Sequence, residues 1–303
     1  MNQRQPLDAS AIATMVLLTS IWGFTQVAIK LAADDVSVVM QAGLRSTISL
    51  VLLFIWARWR GTPLFNRDGT WWPGLAAGAL YAGEFFFVYA GLAHTSASRM
   101  VVFVYLAPVL TAVGVHLFVK GEQLAGYQWA GVLLGFAGIA VAFGDGLFSS
   151  PGSMLGDAFG VIGAFFWAAT TVVIRTTALS QASASKTLLY QIGIAALFLP
   201  FISVLIGEPG IVAVTTTAVA SIAFQGIVVS FASHLAWFWL LTRFLAGRLA
   251  AFSSLAPLFG VLAGVVVLGE PLRAQFAFAA ALVIAGIYLV NRQSPARQTT
   301  DHD

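Results

Sequence analysis

Residues 20–30, SIWGFTQVAIK, decide the fold because the chain contains the same pattern twice. The second copy is FFWAATTVVIR at residues 165–175, which lies 145 residues further along. A tryptophan, a threonine, an isoleucine and a cation keep their spacing in both copies: Trp22, Thr25, Ile29 and Lys30 match Trp167, Thr170, Ile174 and Arg175. The sequence therefore predicts an internally duplicated protein.

Later motifs extend the duplication through most of each half. Arg99, Leu106, Ala107 and Pro108 are matched by Arg248, Leu255, Ala256 and Pro257, and Glu122 and Gly138 by Glu270 and Gly286. The offset stays between 145 and 149 residues throughout. We therefore expect the two halves to fold alike.

The composition is that of an integral membrane protein. The 303 residues are 59% hydrophobic and only 9% charged, and the mean hydropathy is +0.89. A helix needs about 20 apolar residues to cross a bilayer. Ten such segments occur, at residues 10–31, 37–58, 72–93, 98–119, 126–145, 155–177, 186–206, 217–241, 249–269 and 274–291. The predicted fold is thus all-α, with ten transmembrane helices.

An odd number of helices in each half places the second copy upside down in the membrane. The prediction is two inverted five-helix repeats around a central cavity, at residues 10–145 and 155–291, joined by a loop at 146–154. Residues 1–9 and 292–303 would be terminal tails. Most Lys and Arg residues fall on one side in this topology, so the positive-inside rule puts both tails in the cytoplasm.

Glu84 is the most informative polar residue, because it lies near the middle of the third predicted helix. A carboxylate at that depth costs about 3 kcal/mol to insert and usually faces a partner or a watery cavity. Tyr81 lies on the same helical face, and together the two would suit a ligand with an ammonium group and an apolar body. The alternative is structural, since Arg45 has a similar predicted depth and could form a buried ion pair with Glu84.

Aromatic residues on the first and sixth helices are the next candidates. Trp22 and Gln26 share a helical face with Thr25 and Ile29, and Trp167 repeats the arrangement. The tryptophans would stack on a ligand or simply fill the bundle core. His234 would donate a hydrogen bond or carry a proton, with an ordinary core contact as the alternative.

Pro108 and Pro257 occupy matched positions inside the fourth and ninth predicted helices. Since proline removes a backbone donor, each is expected to kink its helix and act as a hinge or line the cavity. Glu122 precedes the fifth helix and is expected to complement that helix's positive end. Arg175 is expected to anchor the end of the sixth helix.

Other chemistry has no support in the sequence. The four histidines are not spaced as metal ligands, cysteine is absent, and no phosphate loop or nucleophile elbow occurs. We predict no metal, no cofactor and no enzymatic activity. The scattered cations do not form a nucleic-acid-binding face. The remaining rival is an intramembrane enzyme, which would need Glu84 and His234 within hydrogen-bond reach of each other.

Three stretches resemble the drug/metabolite transporter superfamily, specifically its ten-helix EamA-type exporters. They are the opening motif at 20–30, YAGLAHTSASRMVVFVYLAPVLTAV with KGEQL at 89–113 and 120–124, and GRLAAFSSLAPLFGVLAGVVVLGEPL at 247–272. The GEFFF stretch at 83–87 makes the chain most similar to YddG-type aromatic amino-acid exporters.

The resemblance implies a cavity lined by the first, third, fourth, sixth, eighth and ninth helices, which would place Tyr105 beside the candidates above. It implies a transporter in the bacterial inner membrane that exports amino acids, including aromatic ones, by alternating access. Its partners would be the lipid bilayer, small zwitterionic metabolites and protons. Efflux of drugs, sugars or nucleosides is the alternative.

Overall fold

The structure is a computed structural model, and it describes residues 7–92, 94, 97–144, 154–269, 272 and 274–292. In these ranges the chain forms ten long helices and one short 3-10 helix, Ala178–Gln181. The first five are α1 (Ala9–Ala32), α2 (Val38–Arg60), α3 (Trp71–Leu92), α4 in two segments (Ala97–Val104 and Ala107–Phe118) and α5 (Gly126–Phe143).

The second five helices repeat this arrangement. They are α6 (Met154–Thr176), α7 (Ala184–Leu205), α8 (Thr216–Arg243), α9 in two segments (Ala246–Ser253 and Ala256–Leu268) and α10 (Gln275–Asn291). The predicted all-α fold of ten helices is confirmed. The terminal tails and the loop at 146–154 fall almost entirely outside the described residues, so their boundaries stay predictions.

Eight of the described helices are long and apolar enough to span a membrane. The other two are α3, which carries Glu84 and many Trp, Tyr and Gly residues, and α10, which has 17 residues. We call the end of the bundle that carries Arg58, Arg60, Arg175, Arg243 and Arg292 the arginine-rich end. The opposite end, with Asp34, Asp35 and Glu208, is the acidic end.

Two helices break at the predicted prolines. Helix α4 is interrupted at Tyr105 and Leu106, and its second segment has Pro108 in its first turn. Helix α9 is interrupted at the matched position, and Pro257 lies in the first turn of its second segment. A proline is tolerated in a first turn because no helical partner is needed for its missing N–H.

Helix α8 contains a π-helix that the apolar pattern did not predict. Residues Phe224–Ser233 adopt this wider form, between an α-helical start at Thr216–Ala223 and an α-helical end at His234–Arg243. Such π segments are rare and often lie at functional sites. Here it leads directly into His234.

The contact between α5 and α10 shows that the repeats are inverted. A Cβ on Gly131 would lie 2.7 Å from the Gly286 carbonyl oxygen, and one on Gly138 would lie 2.8 Å from that of Ala279. The 148-residue offset of the repeat turns the first contact into the second. The two helices are therefore antiparallel and related by a two-fold axis, with glycine permitting the close approach.

The same symmetry organises the other eight helices into two groups. One group contains α1, α2, α8 and α9, and the other contains their repeat counterparts α6, α7, α3 and α4. Each group takes two helices from each repeat. Contact between α2 and α7 joins the groups, and it is so close that a Cβ on Gly43 would lie 2.5 Å from the Pro200 ring.

Candidate functional site

A cavity of about 260 Å³ lies between the two groups. All seven residues predicted from the sequence line it: Trp22, Gln26, Tyr81, Glu84, Tyr105, Trp167 and His234. Its wall is mostly apolar, with a few polar side chains among aromatic rings, as in typical small-molecule sites. The structure thus gathers the predicted residues in one place, while their functional roles stay predictions.

One side of the cavity is a cluster of rings on α1, α3 and α8. Trp22 meets Trp237 edge to face at 5.6 Å between ring centroids. Its ring is tilted against that of His234, at 6.2 Å between centroids. Tyr81 lies edge-on to His234 at 6.0 Å. Edge-to-face packing of this kind holds each ring in a defined orientation.

Hydrogen bonds to residues of α8 fix two of these rings. The indole Nε1 of Trp22 donates to the Ser233 hydroxyl at 2.9 Å, and that hydroxyl donates to the Val229 carbonyl oxygen. The same carbonyl lies 2.8 Å from Nδ1 of His234. One carbonyl oxygen of the π segment therefore orients both Ser233 and His234. Because Trp22 bonds through its indole N–H, its ring face stays available for packing against other rings.

Trp167 on α6 and Tyr105 on α4 form a second aromatic contact in the cavity wall. Their rings meet edge to face at 5.9 Å. Tyr105 is one of the two residues at the interruption of α4, so the break preceding Pro108 also puts an aromatic side chain on the cavity wall. The sequence resemblance placed Tyr105 here without indicating that break.

Glu84 and Arg45 both line the cavity without pairing with each other. Within the described part of the chain, the Glu84 carboxylate forms no hydrogen bond and no ion pair. The Arg45 guanidinium is 4.3 Å from the Phe85 ring centroid, and its buried Nε has no hydrogen-bond partner. The buried ion pair that the sequence left open is therefore not formed, and both charges retain hydrogen-bonding capacity.

The two halves of the protein carry different residues at the position of Glu84. Its counterpart at the 149-residue offset is Ser233, which binds the indole of Trp22. The two-fold partner of Trp22 is Trp167, on the side of the cavity that carries Glu84. One half thus has a satisfied hydroxyl where the other has an unsatisfied carboxylate.

The cavity is open toward the acidic end and closed at the arginine-rich end. Near the acidic end, Gln26 is exposed and Ile29 and Tyr89 are half-buried. At the other extreme, Ile174 and Phe238 retain only 5% and 4% of their exposure. A small molecule therefore reaches the aromatic cluster from one side only.

A buried ion pair closes the arginine-rich end. Arg175 on α6 contacts Glu122, with both side chains at 4% exposure or less. Arg175 also donates to the Leu241 carbonyl at 3.0 Å, and Glu122 accepts from the Ala246 N–H at 2.7 Å. We call Glu122, Arg175, Leu241 and Ala246 the latch, because it joins α6 and the connection after α4 to α8 and α9.

The latch corrects two expectations. Glu122 was expected to complement the start of α5 and Arg175 to anchor a helix end. Instead the two side chains bind each other within one group. Their hydrogen bonds to Leu241 and Ala246 reach the other group. The duplication contained a sign of this ion pair. The counterparts of Arg175 and Glu122 in the other half are Lys30 and Glu270, so a cation and a carboxylate occur in both halves. Glu270 lies outside the described residues.

The cavity wall also differs from the expectation for α9. The resemblance placed the ninth helix on the cavity, yet no described α9 residue lines it, whereas α2 and α7 contribute Arg45 and Gln191. The reason is Gly23, which lets α9 pack directly on the far face of α1, where an added Cβ would lie 2.6 Å from the Ala256 carbonyl oxygen. Pro108 and Pro257 do not line the cavity either, so only their hinge role stays a prediction.

Two buried glutamines were missed by the sequence analysis. Gln191 lines the cavity, and its Nε2 has no hydrogen-bond partner among the described residues. Gln225 donates to the Gln41 side chain at 2.8 Å and so ties α8 to α2. The apolar pattern marks both helices as spans without indicating which of their faces points inward. The described residues contain no cluster of three or more potential metal-binding side chains.

Proteins with similar sequences are named as transporters, and the similarity extends over almost the whole of each chain. The chain is 27% identical to an uncharacterized transporter of Bacillus subtilis, covering 94% of this chain and 92% of that protein. It is 25% identical to a protein of Escherichia coli named a probable amino-acid metabolite efflux pump, covering 90% and 92%. A solved crystal structure matches with a TM-score of 0.81 at 21% identity, over 93% of this chain and 96% of that one.

The family comparison reproduces the duplication. The sequence model of the EamA-like transporter family matches residues 9–144 and again residues 154–292. The two matches correspond to the two five-helix repeats, and together they include every helix. The chain therefore belongs to the EamA-like transporter family, and its cavity lies within a membrane transporter.

Proposed function

We propose that this transporter exports small zwitterionic metabolites, in particular neutral and aromatic amino acids. The observation that carries the proposal is the presence of one acidic and one basic side chain in the same cavity. Glu84 and Arg45 face one aromatic-lined space, and neither forms an ion pair within the described residues. An amino acid presents an ammonium and a carboxylate that would satisfy these two groups together.

The aromatic residues would receive the rest of the substrate. Trp22, Tyr81, Tyr105 and Trp167 surround the cavity with ring faces and edges, which favours flat or apolar side chains. His234 and Gln26 would add hydrogen bonds. Two relatives named probable amino-acid metabolite efflux pumps, from Escherichia coli and Salmonella typhimurium at 25% and 26% identity, support this substrate class.

Alternating access follows from the two-fold symmetry. The two groups exchange under that symmetry, so a state open at the acidic end has a counterpart open at the arginine-rich end. We place the protein in the bacterial inner membrane with both termini in the cytoplasm, because the arginine-rich end then faces inward. The described state would be open to the outside, with the latch closed.

Glu84 would also couple transport to protons. Glu84 is the only carboxylate among the cavity's described lining residues. A proton and the substrate ammonium would compete for it, which is the arrangement that an exchanger requires.

Transport by purified protein in liposomes tests the proposal. Vesicles would be loaded with unlabelled amino acid, and the exchange of labelled tryptophan, phenylalanine and alanine would be followed with and without a pH gradient. We expect saturable flux that unlabelled amino acids inhibit. If no amino acid crosses faster than in protein-free vesicles, while a nucleoside, sugar or cationic dye does, the wider efflux alternative replaces this one.

A further inference from the structure

A second, larger cavity lies at the arginine-rich end, away from the central site. Its volume is about 750 Å³, within the range of about 300–1,000 Å³ that is typical of small-molecule pockets. It lies between α2, α3 and α7, beneath the connection from α2 to α3. It shares no lining residue with the central cavity. We call it the crevice.

The walls of the crevice are almost entirely apolar. Leu50 and Phe54 on α2, Leu75 on α3, and Leu189 and Ile194 on α7 form its sides. Phe54 is 41% exposed on the outer surface of the bundle, so the crevice is continuous with the surface that faces lipid. Such walls suit a hydrocarbon chain and offer nothing to a zwitterionic solute.

Gly193 leaves the crevice empty at its centre. A Cβ at this position would meet no atom within 4 Å, although the residue lies in the middle of α7. Glycine in a helix costs about 1 kcal/mol relative to alanine. Most helical glycines here instead face a neighbouring helix closely, as at Gly78, where a Cβ would lie 2.4 Å from the Tyr190 carbonyl oxygen.

The mouth of the crevice carries a positive charge. Arg67 is exposed and forms no ion pair with any described residue. The neighbouring carboxylate does not neutralise it, since Asp68 binds the buried Nζ of Lys186 at 2.7 and 2.8 Å. Trp71, which is 61% exposed, lies at the same level, as aromatic residues do at a membrane interface.

We propose that the crevice binds a phospholipid with an anionic headgroup. One acyl chain lies along Gly193 between α2 and α7, and the phosphate is held by Arg67. Basic pockets between transmembrane helices on the cytoplasmic side are a known form of anionic-lipid site. The lipid contacts α2 of one helix group and α3 and α7 of the other, so it bridges the seam along which the groups meet.

Native mass spectrometry of the purified full chain tests the site. The protein would be incubated with equimolar phosphatidylglycerol and phosphatidylethanolamine, and the bound lipid counted. The test variants are Gly193→Leu, which fills the crevice, and Arg67→Gln, which removes the charge at its mouth. The control is Gly126→Leu on α5, where a new Cβ likewise meets no atom within 4 Å.

We expect the wild type and Gly126→Leu to retain phosphatidylglycerol in preference to phosphatidylethanolamine. Gly193→Leu should lose most of the bound lipid, and Arg67→Gln should keep lipid with at least a threefold weaker preference for the anionic headgroup. Because Arg67 is exposed, that variant reports on the site even if Gly193→Leu folds poorly. Equal lipid occupancy in Gly193→Leu and Gly126→Leu, or an unchanged preference in Arg67→Gln, overturns the proposal.

Discussion

Glu84 places a carboxyl group in the middle of a helix bundle without a hydrogen-bond or ion-pair partner among the described residues, and this defines what it can do. A group in that position is stabilised only by water, a proton or a ligand in the cavity. The hydroxyl of its repeat counterpart, Ser233, accepts a hydrogen bond from Trp22 and donates one to the Val229 carbonyl oxygen, so it is already engaged within the protein. We therefore expect substrate recognition to depart from the two-fold symmetry at this position.

Replacing Glu84 by glutamine should weaken substrate recognition without harming the fold. Hydrogen bonds to charged groups are worth about 1.5–3 kcal/mol, so we expect at least about tenfold weaker binding of amino acids to Glu84→Gln. The measurement is substrate binding by calorimetry together with exchange in liposomes. The thermal midpoint should not fall, since the variant removes a desolvated charge. Wild-type affinity in this variant would contradict the proposed role.

Asp68 gives the stability a dependence on acid. Hydrogen bonds from Lys186, followed by those from Thr70, lower the pKa of Asp68 from 3.8 to about 2. A lowered pKa stabilises the fold above pH 3.8, and this contribution is lost as the pH falls toward 2. Asp68→Asn should therefore have a lower thermal midpoint than the wild type at pH 7, and the difference should shrink between about pH 4 and about pH 2.

The matched control for Asp68 is Asp34→Asn. Asp34 is an exposed carboxylate at the acidic end, and no described residue pairs with it. Its replacement should leave the midpoint unchanged at both ends of that pH range. A midpoint difference for Asp68→Asn that stays constant down to about pH 2 would show that the Lys186 contact does not stabilise the fold through charge.

The residues of the cavity were largely predictable because polar groups are so rare in this chain. Each of the seven candidates was found from its type, its helical face or the family resemblance, and all line one cavity. Gln191 and the unpaired state of Arg45 could not be inferred, since the rotation of α2 and α7 about their axes depends on packing. That rotation is determined by contacts such as Gly43 against Pro200.

At the scale of helices, apolar length predicted the spans but not their interruptions. The π-helix of α8 changes the hydrogen-bond step from four residues to five, and a uniformly apolar stretch carries no sign of that change. The prolines of α4 and α9 did mark the two breaks in advance. Boundaries moved by a few residues, for example from 249 to Ala246 at the start of α9.

The α5 and α10 pair should be sensitive to added volume at its glycines. A Cβ on Gly286 would lie 2.6 Å from the Gly131 carbonyl oxygen, so Gly286→Leu must push the helices apart. Overpacking of this kind costs about 1–3 kcal/mol. We expect a lower thermal midpoint in detergent, whereas Gly126→Leu on the same helix pair should behave as wild type. Equal midpoints would mean that the close approach does not contribute to stability.

The latch should behave as a coupled pair. Breaking a buried ion pair from one side costs about 3–5 kcal/mol, because the remaining charge is left without its partner. Glu122→Gln and Arg175→Met should each be strongly destabilising, and the double variant should recover most of the loss. A double-mutant cycle on the free energy of unfolding measures this coupling. Additive effects would show that the two side chains act independently.

At the scale of the whole molecule, we expect the latch to determine which side of the cavity is open. The chain has no cysteine, so a single cysteine can be labelled specifically. In Gln26→Cys, a membrane-impermeant maleimide added at the acidic end should react readily, because Gln26 is exposed there. Adding Glu122→Gln should slow this reaction by weakening the outward-open state, because each 1.4 kcal/mol of shift lowers the ratio of outward-open to inward-open molecules about tenfold.

Ile174→Cys is the complementary reporter, since Ile174 is buried beside the latch. Its labelling should be slow in the otherwise wild-type chain and faster when Glu122→Gln is added. If weakening the latch changes both labelling rates in the same direction, the variant loosens the fold rather than shifting the cavity between its two openings.

The global architecture was the most predictable feature of this protein. A repeat of five helices has to be inverted, and the antiparallel contact of Gly131 with Gly286 follows from that count. The grouping of helices was not predictable, since nothing in the linear order indicates that α1 and α2 join α8 and α9. The groups arise because each repeat buries its apolar faces against the other.

This interleaving has a consequence for how the protein is made. Helices α1 and α2 enter the membrane early, yet their packing partners α8 and α9 belong to the last third of the chain. At about 5–20 residues per second, the ribosome needs roughly 8 to 30 seconds to get from the end of α2 to the start of α8. During that interval the first half lies in the bilayer without its packing partners, and the surface of α1 at Gly23, which later packs against α9, faces lipid. The incomplete chain is therefore accessible to membrane proteases and insertases before its second half has been synthesised.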